Sequence, residues 1–183
     1  MSGSAPTDFS KERMFPDLPY DAWKATKNTL HLYSQIVGKV RLALFPPMNH
    51  WWGVTLYISP RGLTTRSIPW HYGSFELELD FIGHQLTIAV SNGARRQFPL
   101  FDGLSVSQFY DNVKSNLSAL GIEPRVRPVP YDTMSKIPFK VDQEHAAYDK
   151  EYVERFQRAL VGIGGIFDEF RARVPLEAHA VEL

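Results

Sequence analysis

The sequence predicts an α+β domain: an antiparallel β-meander covered on one face by long N- and C-terminal helices, plus a shorter middle helix. Three observations lead there. Apolar residues recur at helical 3–4 spacing near both ends of the 183-residue chain, they alternate with polar residues through the middle, and turn-forming pairs separate the alternating runs. A chain of this length buries about 70% of its extended surface and needs no disulfide or structural metal to fold.

The first 17 residues are small, polar and Pro-punctuated, and are expected to form a flexible arm. Trp23, Thr26, Leu30, Tyr33, Val37, Val40 and Leu44 then mark one stripe of a helix from Pro19 to Leu44, stopped by Pro46-Pro47. Gly38 weakens that helix, and a rival reading makes Lys39–Phe45 a strand; the 3–4 spacing runs through the glycine and favours the helix. Trp52, Val54, Leu56 and Ile58 switch to period two, which predicts a strand, followed by a Ser59-Pro60-Arg61-Gly62 turn and a short strand over Leu63–Ile68. Phe75, Leu77, Leu79 and Phe81 alternate with acidic residues in the clearest half-buried strand. A two-residue Gly83-His84 turn would set Phe81 opposite Leu86, Leu79 opposite Ile88 and Leu77 opposite Val90. A three-residue loop with a glycine bulge at Asn92-Gly93 would set Phe98 opposite Ile88, in a strand over Arg95–Leu100.

Val106, Phe109, Val113, Leu117 and Leu120 predict the middle helix, with Ser105 as N-cap and Gly121 just past its end. Arg125–Val129 fits an edge strand, residues 130–148 an irregular segment. Asp149 caps a last helix with the stripe Tyr152, Phe156, Leu160, Ile163, Phe167, Phe170 and Val174, weakened at Gly162-Ile163-Gly164-Gly165. Residues 18–174 are expected to form one domain, and 175–183 a flexible tail.

Twenty basic and twenty acidic residues cancel, against a broad nucleic-acid surface. Without cysteine, thiol catalysis and thiolate metal sites are excluded. No apolar run is long enough for a membrane span, and the N-terminus lacks a signal-peptide core, so a cytoplasmic protein is expected. Neither a Walker A pattern nor a Rossmann glycine fingerprint is present, and no cofactor is expected.

Four groups of residues could carry chemistry. Lys24, Asn28, His31, Gln35 and Lys39 share one side of the first helix, either a pocket wall or a solvated face. Asn49-His50-Trp51-Trp52 offers an amide, an imidazole and two indoles, either a stacking platform or core rings with turn hydrogen bonds. Glu76, Glu78 and Asp80 line one strand face, either for acid–base or divalent-ion chemistry or simply to meet solvent; Arg96 would neutralise part of that ladder from across the hairpin. Asp142, His145, Tyr148 and Asp149 form a polar knot before the last helix; Asp149 is explained as a cap, and Asp142 and His145 are either a site or loop hydrogen bonding. A metal held by Asp80, His84 and the ladder is the weakest possibility, and no metal site is expected.

The runs Thr29-Leu30-His31-Leu32, Gln35-Ile36-Val37-Gly38-Lys39, Pro46-Pro47, Asn49-His50-Trp51-Trp52, Arg61-Gly62-Leu63-Thr64-Thr65, Asp80-Phe81-Ile82, His145-Ala146-Ala147-Tyr148-Asp149 and Arg155-Phe156 resemble the bacterial family catalogued as domain of unknown function 5996. The resemblance spans about residues 15–174. It brings no established activity, and implies a shared site drawn from His31, Gln35, Lys39, Asn49, His50, Asp80, His84, Asp142 and His145. Family members tend to carry an acidic residue where this chain has Gly83, and look longer at the C-terminus. The expectation is an enzyme or former enzyme for a small polar ligand, with His31, His50, Asp142 and His145 as catalytic candidates and Gln35, Lys39, Asn49, Trp51, Asp80 and His84 as binding candidates. The alternative is a binding module that engages a partner chain, or itself, at an exposed sheet edge.

Overall fold

The computed structural model describes residues 15–47, 49–133 and 135–173; of Asn49, His50 and Trp51 it describes the backbone alone. The expected α+β class holds. Helix α1 runs unbroken over Tyr20–Leu44 behind Pro19, burying Trp23, Thr26, Leu30, Tyr33, Val37 and Val40. Gly38 lies where a Cβ would come within 3.0 Å of the Val54 carbonyl oxygen, so its missing side chain lets the next segment pack against the helix.

That segment is the first departure from the predicted elements. Asn49–Val54 form a 3₁₀ helix, and the strand expected from Trp52 to Ile58 is reduced to β1, Tyr57–Ile58. A strand needs a partner along its length. β1 pairs with β2, Gly62–Thr64, in the register Tyr57↔Thr64. Beyond Thr64 the partner bends away, because Arg66 adopts a left-handed φ of 52°. The same bend splits the strand expected over Leu63–Ile68 into β2 and β3, Ile68–Trp70. Both pair with one edge of β4, Gly73–Asp80, and Thr65 spans the break: its N–H donates to the Leu77 carbonyl and its hydroxyl accepts from the Leu77 N–H.

β4, β5 (Gln85–Val90) and β6 (Arg95–Pro99) complete the antiparallel sheet, in the order β1-β2-β4-β5-β6 with β3 beside β4. Phe75, Leu77, Leu79, Leu86, Ile88 and Phe98 turn to the core. Both hairpin registers differ from expectation by two residues. Leu79 faces Leu86 and Leu77 faces Ile88, while Phe98 faces Leu86 rather than Ile88. A shift of two keeps every side chain on its face, so alternation cannot tell these pairings apart. The β4–β5 turn is decided by Asp80, whose Oδ1 accepts the N–H groups of Ile82 and Gly83 and so closes the hairpin one pair earlier. In the β5–β6 turn, Val90 N–H donates to Ala94, and Gly93 takes φ +90° within a loop begun one residue earlier than expected. Arg96 lies opposite Ile88, on the face away from the acidic ladder, as it would in either register; Arg95 reaches Thr87 on the ladder face instead.

Helix α2, Val106–Ser118, starts in a full capping box between Ser105 and Gln108. Arg125–Val129 is not a strand; Phe139 N–H takes the Pro128 carbonyl, and Val129 N–H folds back on Arg127. Helix α3, Lys150–Arg173, is continuous through its glycines, with Asp149 capping Glu151 and Tyr152. Its buried residues are Val153, Gln157, Leu160, Gly162 and Gly164, of which the predicted stripe held Leu160 alone. Gly164 allows close approach to Ile58, where a Cβ would lie 3.2 Å from Cδ1. Phe156 packs on Trp23 and Phe81, whereas Ile163, Phe167 and Phe170 are exposed and Val174 lies outside the described residues. Tyr33 stacks on Phe109, and Phe98 meets Phe109 edge-on, which joins α1, α2 and the sheet in one core. No helix among the described residues is long and apolar enough to cross a membrane.

Candidate functional site

The polar candidates fall into three groups. On α1, the Gln35 side chain grips the Tyr131 backbone from both sides, its Nε2 donating to the carbonyl and its Oε1 accepting the N–H at 2.8 Å. This lays the irregular segment against the polar side of α1. His31 Nε2 lies 3.2 Å from Gln35 Nε2, so that ring nitrogen accepts and Nδ1 carries the hydrogen. Burial and the neighbouring Lys27 hold the His31 pKa below the ordinary imidazole value, with Asp132 opposing them. Burial and Arg127 lower Lys39 in the same way.

The second group closes the β4–β5 hairpin. Asp80, almost completely buried, receives Arg61 Nε at 2.9 Å and Nη2 at 2.8 Å besides its two turn N–H groups. Burial alone would raise its pKa; the Gly83 N–H, Arg61 and the Ile82 N–H outweigh that and hold it below the usual carboxylate value. A Cβ on Gly83 would sit 2.6 Å from Asp80 Oδ2, so the small residue there accommodates this carboxylate. His84, at a left-handed φ of 48°, places Nε2 3.3 Å from Glu154 and Nδ1 3.2 Å from the Tyr148 hydroxyl. A carboxylate only accepts, so Nε2 carries a hydrogen toward Glu154, while Nδ1 lies within hydrogen-bond reach of the Tyr148 hydroxyl. Burial, reinforced by Tyr33, Asp80 and Glu154, pushes the Tyr148 phenol far above its ordinary value and keeps that hydroxyl protonated. Arg61 and Glu154 were not among the sequence candidates, and Tyr148 was grouped with Asp142 and His145 rather than with His84. Glu154 lies 70 positions from His84, and only the docking of α3 brings them together.

The third group is Asp142 with His145. The Asp142 side chain has no exposed surface, and its Oδ1 accepts the N–H groups of Glu144 and His145. His145 Nδ1 lies 2.9 Å from Oδ2 and 3.0 Å from Oδ1. The segment is held onto the start of α2, where Ser107 N–H takes the Asp142 carbonyl and Val106 N–H that of His145. Nδ1 therefore carries the ring hydrogen, and Nε2, on a side chain 23% exposed, has no hydrogen-bond partner among the described residues. This is the hydrogen-bonding logic by which a buried carboxylate orients a general base.

Asp142 meets His145, Asp80 shares its hairpin with His84, and His31 meets Gln35. The His31 and His145 groups share no hydrogen-bond partner. The side chains of Asn49, His50 and Trp51 lie outside the described residues. The acidic ladder is occupied by hydroxyls, Ser59 on Glu78 at 2.7 Å and Thr64 on Glu76 at 2.5 Å. Among the described residues, no three His, Asp or Glu side chains gather in a metal-binding arrangement. A groove of about 310 Å³ lies elsewhere, between the end of β6 and α2, lined by Pro99, Phe101, Leu104, Gln108, Asp111 and Asn112.

Residues 15–181 match DUF5996, described as a family of unknown function. The chain belongs to this family. The match includes all three polar groups and covers essentially the whole DUF5996 chain. No curated protein and no solved structure matches it.

Proposed function

We propose that this DUF5996 chain binds a small polar ligand at His145 and exchanges a proton with it through Nε2, with Asp142 orienting the ring. The observation that carries this reading is the contrast within the pair: a carboxylate without exposed surface holds Nδ1, while the ring remains partly open to solvent. A surface ion pair has no need to bury its carboxylate under two backbone N–H groups. The test is titration with small carboxylates, phosphates, amides and sugars while the His145 ring is followed by NMR. One class is expected to shift the ring signals saturably, and Asp142→Asn to weaken its binding at least tenfold. If no class moves them, or the variant binds equally well, the assignment falls.

A second reading, attachment of another chain at a sheet edge, is favoured by one specific observation: among the described residues β6 ends the strand order and has a neighbour on one side only.

A further inference from the structure

We infer that an acidic, extended segment of another protein adds as a strand to β6 and seats an apolar side chain in the groove beside Pro99. This rests on the second reading above and names its edge, its register and its partner.

The ladder parity identifies the open groups. Val90 N–H donates to the Ala94 carbonyl and Leu100 N–H to the His84 carbonyl. Antiparallel bonds recur at alternate residues, so Ala94, Arg96, Phe98 and Leu100 face β5. The main-chain groups of Arg95 and Gln97, and the carbonyl of Pro99, therefore point outward, and all three residues are exposed. Two arginines and a proline on such an edge discourage indiscriminate pairing. They leave an opening for a partner that brings carboxylates. Among the described residues neither Arg95 nor Arg96 pairs with an acidic side chain; Arg95 Nη2 donates to the Thr87 hydroxyl at 3.4 Å.

The groove lies at the opposite end of the same strand. Pro99, Phe101 and Leu104 provide its apolar surface, with Phe101 45% exposed. At about 310 Å³ it sits at the lower end of ligand-pocket sizes, suited to one side chain of an extended peptide. A partner antiparallel to β6 runs from the groove toward the arginines. Its apolar residue then precedes its acidic residues by about four positions, the separation of Pro99 and Arg95 along the strand.

The experiment uses the full chain and the fluorescein-labelled peptide LTVTEE, with binding read by anisotropy and main-chain protection by amide hydrogen exchange. The expected result is saturable binding, exchange at Arg95 and Gln97 slowed at least tenfold, and at least tenfold weaker binding after N-methylation of alternate peptide amides or in the exposed-site double variant Arg95→Gln, Arg96→Gln. Equal binding of the neutral peptide LTVTQQ would overturn the acidic partner and leave edge attachment standing. Binding without protection at Arg95 and Gln97, or no binding at millimolar peptide, would overturn the strand-addition site. Protection of those amides without peptide, together with a dimer in sedimentation, would assign the edge to a second copy and overturn the inference.

Discussion

Removing the Asp80 carboxylate tests the principal polar closure of the sheet. In Asp80→Ala the N–H groups of Ile82 and Gly83 lose their acceptor, and Arg61 loses both of its bonds. A backbone N–H bonded to an ionised carboxylate contributes about 1.5 kcal/mol net, the low end for hydrogen bonds to a charged group. Arg61 is 51% exposed, so solvent screening makes its share small beside these. Together the loss is about 3 kcal/mol. Asp80→Asn keeps an acceptor for the turn and gives up mainly the charge, at about 1 kcal/mol. Urea unfolding of the three proteins, compared through midpoint and slope, measures both differences. The pH dependence supplies the sign. The folded Asp80 pKa is lowered, so its contribution is complete above the unfolded value of about 3.9 and is lost as pH falls through the folded value. The gap between the wild type and Asp80→Asn is therefore full at neutral pH and closes below about pH 4. An Asp80→Ala cost under about 0.5 kcal/mol, or a gap unchanged from neutral pH into the acid range, would refute the reasoning.

Three further outcomes are expected. Gly62→Ala places a Cβ 1.8 Å from the Leu79 carbonyl oxygen, inside the β2–β4 pairing, and should destabilise the fold by about 3 kcal/mol in thermal or urea unfolding. Ser105→Ala removes the hydroxyl that accepts the Gln108 N–H and should cost about 1 kcal/mol by the same measurements. The His31 ring should titrate by NMR below 6.5, and Lys27→Gln should move its midpoint upward while leaving the part due to burial. Because the folded value is lowered, the associated stability is present above the unfolded pKa and is lost as pH falls through it toward the folded value.

Local chemistry made much of this fold legible. The 3–4 stripe of α1, the Ser105 N-cap, the Asp149 cap and the alternation of β4 are each written in a short window of residues, and each appears where the spacing predicts. Alternation also carried the parity of both hairpins, because a one-residue slip would turn Leu77, Leu79, Leu86 and Ile88 outward. It could not carry the absolute register, since a slip of two buries the same faces; the Asp80 turn and the loop at Gly93 settled that. The 3₁₀ helix at Asn49–Val54 depended on where β2 bends away, and the buried side of α3 on how closely Gly164 approaches Ile58. For the site, the Asp142–His145 pair was visible as neighbours in the chain, whereas the His84–Glu154 contact depended on α3 docking across the hairpin. Short-range propensities and periodicity act within a few residues and belong to the sequence by itself. Pairing register, helix rotation and the meeting of distant polar groups depend on which surfaces come together, and only tertiary packing decides that.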